Sequence, residues 1–195
     1  MTMQFVALCG YPAVGKSEVQ LVLKELYGFQ IVDDAKPLRE AAKILYGLDD
    51  WHVSTQEGKA TILNLGERRV TVRQVLGELG DHLEESDPYH MPRRARERAM
   101  AVDQKAKYSF GSVRKDQGCF LKDCGGTLVI EVTRSGCKPR GDFDEYDRGC
   151  IDFSIENDFD ESNPEASKAR LLEAVADMLD PIFPRSAEQL VSIAS

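Results

Sequence analysis

Residues 3–28, MQFVALCGYPAVGKSEVQLVLKELYG, decide the fold. The stretch opens with a short apolar run rich in strand formers (3–9), which reads as a buried strand. It closes with a helix over 16–28, where Val19, Val22, Leu23 and Leu26 share one face and Gly28 supplies the stop. Between them, Gly10-Tyr11-Pro12-Ala13-Val14-Gly15-Lys16-Ser17 fits G-x-x-x-x-G-K-[ST] at every fixed position. Each residue type has a physical reason. Glycines let the backbone curl so that successive N–H groups face inward as an anion nest. The following helix adds its positive N-terminal end. Lys16 brings a point charge to the terminal phosphates of a nucleotide, and Ser17 offers a hydroxyl to a magnesium ion. A strand before the loop and a helix after it are the context that gives the motif meaning. Phosphate contact is therefore expected along Gly10, Ala13, Val14, Gly15, Lys16, Ser17 and Glu18.

Working outward, FQIV (29–32) reads as a second strand and PLREAAKILYG (37–47) as a second helix, with Pro37 at an early helical position and Gly47 as its stop. Strand, helix, strand, helix points to a parallel sheet with crossover helices. TILNLGERRVTV fits a hairpin. A helix over 71–85 carries a capping-box pattern, Thr71 with Gln74, and a stripe of Val72, Val75, Leu76, Leu79 and Leu83. Further helices are expected over 91–106, within RKDQGCFLKDCGG, and after Asn163-Pro164, the last with Leu171, Val175, Met178 and Leu179 inward. KYSFGSV, TLVIEVT (127–133) and CIDFSIEND (150–158) read as strands. Residues 134–150 read as a mobile loop, and the tail after Pro181 as a further turn or two of helix. The expectation is one α/β domain over 1–195. It is a three-layer sandwich with a mostly parallel sheet and helices on both faces, like the P-loop NTPases.

The chain has 195 residues and a net charge of −8. An acidic chain is a poor general binder of nucleic acid, whose affinity rests on neutralising phosphates, so no stable nucleic-acid partner is expected. The arginine run Arg93, Arg94, Arg96 and Arg98 reads as a solvated helix face. No apolar run suits a bilayer and the N-terminus lacks a signal peptide's basic region, which suggests a cytoplasmic chain. The five cysteines, Cys9, Cys119, Cys124, Cys137 and Cys150, are odd in number and argue against a disulfide framework. Their spacing lacks the paired C-x-x-C knuckles of a zinc site, so buried or idle thiols are expected.

A phosphate loop identifies a nucleotide and not a reaction. The chain has no Asn-Lys-x-Asp element for guanine, and TLVIEVT offers only Glu131 inside the strand. A small domain with additional arginines suits a kinase with a small phosphorylated acceptor. Arg73 lies in the first turn of the helix capped by Thr71, where a cation opposes the helix dipole unless an anion is near. Arg39 lies in a similar position behind Pro37. Asp33 and Asp34 end the second strand, where open parallel sheets bind ligands, and Asp34 is a candidate for a magnesium-bound water or the acceptor. Arg134 follows the strand 127–133, and Arg140 lies in the loop beyond. Arginines on such a loop can neutralise charge on a transferring phosphoryl group.

Taken in order, GYPAVGKSEV, DDAKPLREAAKILYG, TVRQVLGELGDHL, SVRKDQGCFLKDCGGTLVIEVTR and IDFSIEND resemble the deoxynucleoside monophosphate kinases of bacteriophages and their bacterial relatives, over roughly residues 4–180. The resemblance implies an NMP-kinase-like fold and transfer of the γ-phosphoryl of ATP to a deoxynucleoside 5′-monophosphate, with Mg2+ as cofactor. It implies that Arg39, Arg73 and Arg114 face the acceptor, with Asp34 beside it. Arg134 would lie near the transferring phosphate as a catalytic group with Lys16 and Arg73, and Asn157 near the adenine end of the donor. The acceptor would sit in a helical insertion over 48–110, under a lid over 134–150. The family often has Val-Arg-Phe-x-Asn-Glu where this chain has Val113-Arg114-Lys115-Asp116-Gln117, and its His-x-Ser-Glu is absent from the late loop. Two other readings stay open: a small P-loop kinase with a different acceptor, and a nucleotide-binding regulator without transfer. A homodimer is likewise left open.

Overall fold

A computed structural model describes residues 3–139, 141 and 144–185. In chain order, the first half contains β1 (Phe5–Cys9), α1 (Lys16–Tyr27), β2 (Gln30–Val32), α2 (Lys36–Tyr46), α3 (Asp50–Ser54), α4 (Gln56–Ala60), β3 (Ile62–Leu65), β4 (Arg68–Thr71) and α5 (Val72–Ser86). The second contains α6 (His90–Val102), β5 (Tyr108–Phe110), α7 (Gln117–Asp123), β6 (Thr127–Thr133), β7 (Phe153–Glu156) and α8 (Pro164–Leu179). The chain divides into two compact units, one of residues 1–33 with 92–195 and one of residues 34–91.

The larger unit is built on a five-stranded sheet in the order β2-β5-β1-β6-β7, with every neighbouring pair parallel. All five residues of β1 are buried, which fits a central parallel strand covered on both faces. Side chains alternate along it. Val6 and Leu8 face a core with Val19, Leu23 and Leu26 of α1 and Leu171, Val175 and Leu179 of α8. Phe5, Ala7 and Cys9 face a second core with Ala95 and Ala99 of α6 and Leu121 of α7. Two helical layers thus enclose the sheet, the three-layer α/β arrangement read from the sequence. At roughly 25 cal/mol per Å2 of apolar surface removed from water, each such buried leucine favours the folded chain by about 1.5–3 kcal/mol. No helix among the described residues is long and apolar enough to cross a membrane.

The smaller unit packs Ala42, Val53 and Val72 into its own core, with Tyr46, Leu48, Leu63, Leu76 and Leu79 around them. The hairpin is present, with Ile62 opposite Thr71 and Leu65 opposite Arg68. At the start of α5 both halves of the capping box are made: the Thr71 hydroxyl accepts from Gln74 N–H, and the Gln74 side chain accepts from Thr71 N–H.

The structure corrects several local expectations. Leu83 is 40% exposed, because the last turns of α5 run past the small core that holds Val72, Leu76 and Leu79. The helix expected over 91–106 ends at Val102: Asp103 turns its carboxylate back to accept from Lys105 N–H at 2.8 Å, a local bond that competes with helix continuation. After α8 the chain makes a turn in which Phe183 N–H donates to Leu179 O at 2.7 Å and packs its ring against Tyr27 and Phe29. The part of the expected tail helix over 186–195 lies outside the described residues, as does Arg140.

Candidate functional site

The loop that joins β1 to α1 leaves the carboxyl end of the central strand, between β5 and β6. Open α/β sheets bind ligands at this point, where the strand order reverses. Three of its residues have positive φ: Gly10 at 136°, Ala13 at 66° and Gly15 at 95°. A side chain at φ > 0 costs roughly 1–2 kcal/mol, so Ala13 holds strain of the sort that persists where the loop shape is needed. Glycine is required at the two flanking positions. A Cβ on Gly10 would lie 2.2 Å from the backbone O of Val132, and one on Gly15 would lie 2.0 Å from Nδ2 of Asn157. The second contact identifies a support for the loop. Asn157 is 4% exposed, its Nδ2 donates to Val14 O at 2.9 Å, and its own N–H donates to Thr133 O at 2.8 Å. The structure thus places Asn157 against the loop between β1 and α1 itself.

Lys16 and Ser17 stand in the first turn of α1, with Glu18 behind them. The Lys16 ammonium donates to the loop's own carbonyls, Gly10 O at 2.6 Å and Tyr11 O at 3.0 Å. A bound polyphosphate would compete with these carbonyls for the same charge. Gly15 caps α1 in the left-handed conformation without a side-chain cap. The first amides of the helix are therefore oriented toward the loop, as an anion site needs.

The other expected site residues fall into separate groups. Arg134 extends past the end of β6, donates to Phe159 O at 3.4 Å and stacks its guanidinium 5.1 Å from the Phe159 ring. Arg114 sits just before α7, its backbone N–H donating to Oε1 of the buried Gln117 at 3.2 Å. In the smaller unit, Arg73 donates to Oε1 of Gln56 at 2.6 Å. Among carboxylates near in sequence, Glu78 pairs with Arg68 and Glu40 with Lys43. Arg39 lies in the first turn of α2, and Asp34 opens this unit.

Sequence reading missed a polar cluster beside the loop. Glu131, opposite Cys9 in the β1–β6 register, is 8% exposed. It accepts from Tyr146 Oη at 2.7 Å and from Ser154 Oγ at 2.8 Å, and Arg148 Nε lies 3.3 Å away. The Tyr146 ring in turn packs on Tyr11 of the phosphate loop, with centroids 5.5 Å apart. Burial and the bond to Glu131 push the Tyr146 hydroxyl up to about 12, and burial with the Glu131 charge pushes the Cys9 thiol up to about 12. The available signal was a carboxylate inside the otherwise apolar TLVIEVT. Residues 144–150 are anchored as well by backbone bonds: Lys115 N–H to Glu145 O and Asp147 N–H to Lys115 O, both 2.6 Å.

The cysteine expectation is also corrected. Cys119 of α7 and Cys150 are paired as a disulfide, 31 residues apart, while Cys9, Cys124 and Cys137 are free. The pairing joins α7 to the segment before β7, a neighbourhood that only the folded sheet creates. The Asp147 carboxylate lies 3.4 Å from Cys119 Sγ and 3.7 Å from Cys150 Sγ, so with both cysteines reduced the three groups are close enough to hold a metal ion.

No family model matches the chain, and no curated protein matches it. Among solved structures, the chain is similar to a dephospho-CoA kinase from Campylobacter jejuni, with 15% sequence identity and a TM-score of 0.45 over 91% of this chain and 100% of that one.

Proposed function

We propose that the chain is a small P-loop kinase that transfers the γ-phosphoryl group of ATP to a deoxynucleoside 5′-monophosphate. The observation that carries the reading is the loop at the end of β1, with Gly10, Ala13 and Gly15 at positive φ and Lys16 at the start of α1. Those features suit a polyphosphate. The acceptor class rests on the sequence resemblance, and so do the acceptor roles of Arg39, Arg73 and Arg114, while that of Asp34 rests on its place after the second strand.

The residues present fit magnesium. Ser17 stands exposed at the helix start beside a loop whose backbone would lie along the phosphates, and its hydroxyl would hold the ion; a role for Asp34 rests on the sequence reading alone. When bound, the ion would neutralise phosphate charge. The protein's own part is alignment and charge neutralisation. The nest amides and Lys16 hold the donor, with Lys16 exchanging Gly10 O and Tyr11 O for phosphate oxygens. Arg134, in the same unit as the loop, would stabilise charge on the group in transfer, and the catalytic role of Arg73 rests on the sequence reading. An acceptor phosphate is already anionic near neutral pH, so a strong general base is not needed. On the sequence reading, water exclusion would fall to the segment 134–150.

The test is ADP formation measured with ATP and each of the four deoxynucleoside monophosphates in turn. Acceptor-dependent ADP from at least one of them, reduced about 100-fold or more in Lys16→Ala, is the expected result. Turnover with a different phosphorylated or hydroxyl acceptor would move the chain to another kinase class. Tight ATP binding with no product from any acceptor would make it a regulator.

A further inference from the structure

The paired cysteines sit at one end of a strip that reaches the phosphate loop. Cys150 closes a short 3-10 turn, residues 148–150, that Asp147 caps by accepting from Gly149 N–H at 2.7 Å. One residue earlier, Tyr146 donates to Glu131 and packs on Tyr11. Lys115 grips the strip from the α7 side through its two backbone bonds. The crosslink therefore fastens α7 to the strip within four residues of the ring that touches the phosphate loop. Cys119 is half-buried and Cys150 is buried, so Cys119 is the more open of the two to a small thiol. A disulfide with one accessible sulfur is open to exchange, unlike one sealed in a core.

We propose that Cys119 and Cys150 are a reversible thiol–disulfide modification site that sets how firmly residues 144–150 are held beside the phosphate loop. The reductant is a low-molecular-weight thiol. Its thiolate attacks Cys119 Sγ, the protein S–S bond breaks, and Cys150 leaves as a thiolate that takes up a proton. A second thiolate attacks the outer sulfur of the mixed disulfide. This releases the small disulfide, and the Cys119 thiolate left behind is protonated. Two electrons and two protons enter the protein, and the small disulfide drives the reverse reaction. In the reduced state the strip keeps its noncovalent anchors, among them Lys122 Nζ donating to Cys150 O at 3.1 Å, and it opens more often.

The test equilibrates the full chain in reduced and oxidised glutathione, maps the crosslink by mass spectrometry after alkylation, and follows amide hydrogen exchange at Lys115 and Asp147. The expected result is a 119–150 crosslink in oxidised buffer, reversed in reduced buffer, with exchange at both amides slower by about tenfold in the crosslinked form. Cys119→Ser and Cys150→Ser should both match the reduced wild type in either buffer. Pairing through Cys124 or Cys137, no crosslink, or equal exchange in both states overturns the proposal. So does one equivalent of zinc bound by the reduced chain and lost in Asp147→Asn, with no crosslink in oxidised buffer, since the cluster is then a metal site. Neither readout needs a nucleotide, so a failure of the kinase reading leaves this test intact.

Discussion

Replacing Gly15 with alanine, alone and with Asn157→Ala, measures how the phosphate loop is held. At φ 95° an alanine adds about 1–2 kcal/mol of backbone strain. Its Cβ would also stand 2.0 Å from Asn157 Nδ2, so that amide must withdraw and give up its bond to Val14 O. A buried group left unpaired costs about 1–3 kcal/mol. Gly15→Ala should therefore destabilise the fold by about 2–5 kcal/mol, the sum of those two effects. Asn157→Ala should cost about 1–3 kcal/mol, for the lost bond alone. In the double variant the clash is gone and the bond is lost only once, leaving about 2–5 kcal/mol in total. The two changes should thus fall short of additivity by about 1–3 kcal/mol, well outside the scatter for independent sites. Urea unfolding of the four proteins, followed by circular dichroism, gives the cycle. Additive effects within about 0.5 kcal/mol would refute the claim that Asn157 supports the loop at Gly15.

Other consequences can be checked separately. Thr71→Ala removes one half of the capping box on α5 and should lower stability by about 1 kcal/mol in thermal or urea unfolding. Tyr146→Phe withdraws a hydrogen bond from the buried Glu131 carboxylate and should cost about 1.5–3 kcal/mol, with Ser154→Ala adding less than the sum because both serve one group. The Cys9 thiol titrates at about 12 in the fold against an ordinary value of 9.0. The unfolded chain therefore loses this proton first as pH rises. The stabilisation is complete below pH 9 and fades between pH 9 and 12, at up to about 1.4 kcal/mol per pH unit. Cys9→Ala should flatten that alkaline slope in unfolding measured from pH 8 to 11, and an unchanged slope would assign it to other groups.

The sequence by itself determined the parts whose causes are local. Gly10 to Ser17 announced a strand–loop–helix turn because the glycines, lysine and serine act within eight consecutive residues. The capping box at Thr71 and Gln74 and the buried apolar run of β1 were legible for the same reason: each rests on residues close together in the chain. Element ends were less so, since Asp103 chose a local turn over another helical turn and Leu83 had too small a core to cover it. Only the tertiary structure decided what stands beside the phosphate loop. Asn157 meets Val14 across 143 residues, Tyr146 meets Glu131 across 15, and Cys150 meets Cys119 across 31. Those pairs exist because parallel pairing of β6 with β1 and of β7 with β6 brings distant strand ends to one edge. Residue type and spacing carry no record of which strands will become neighbours.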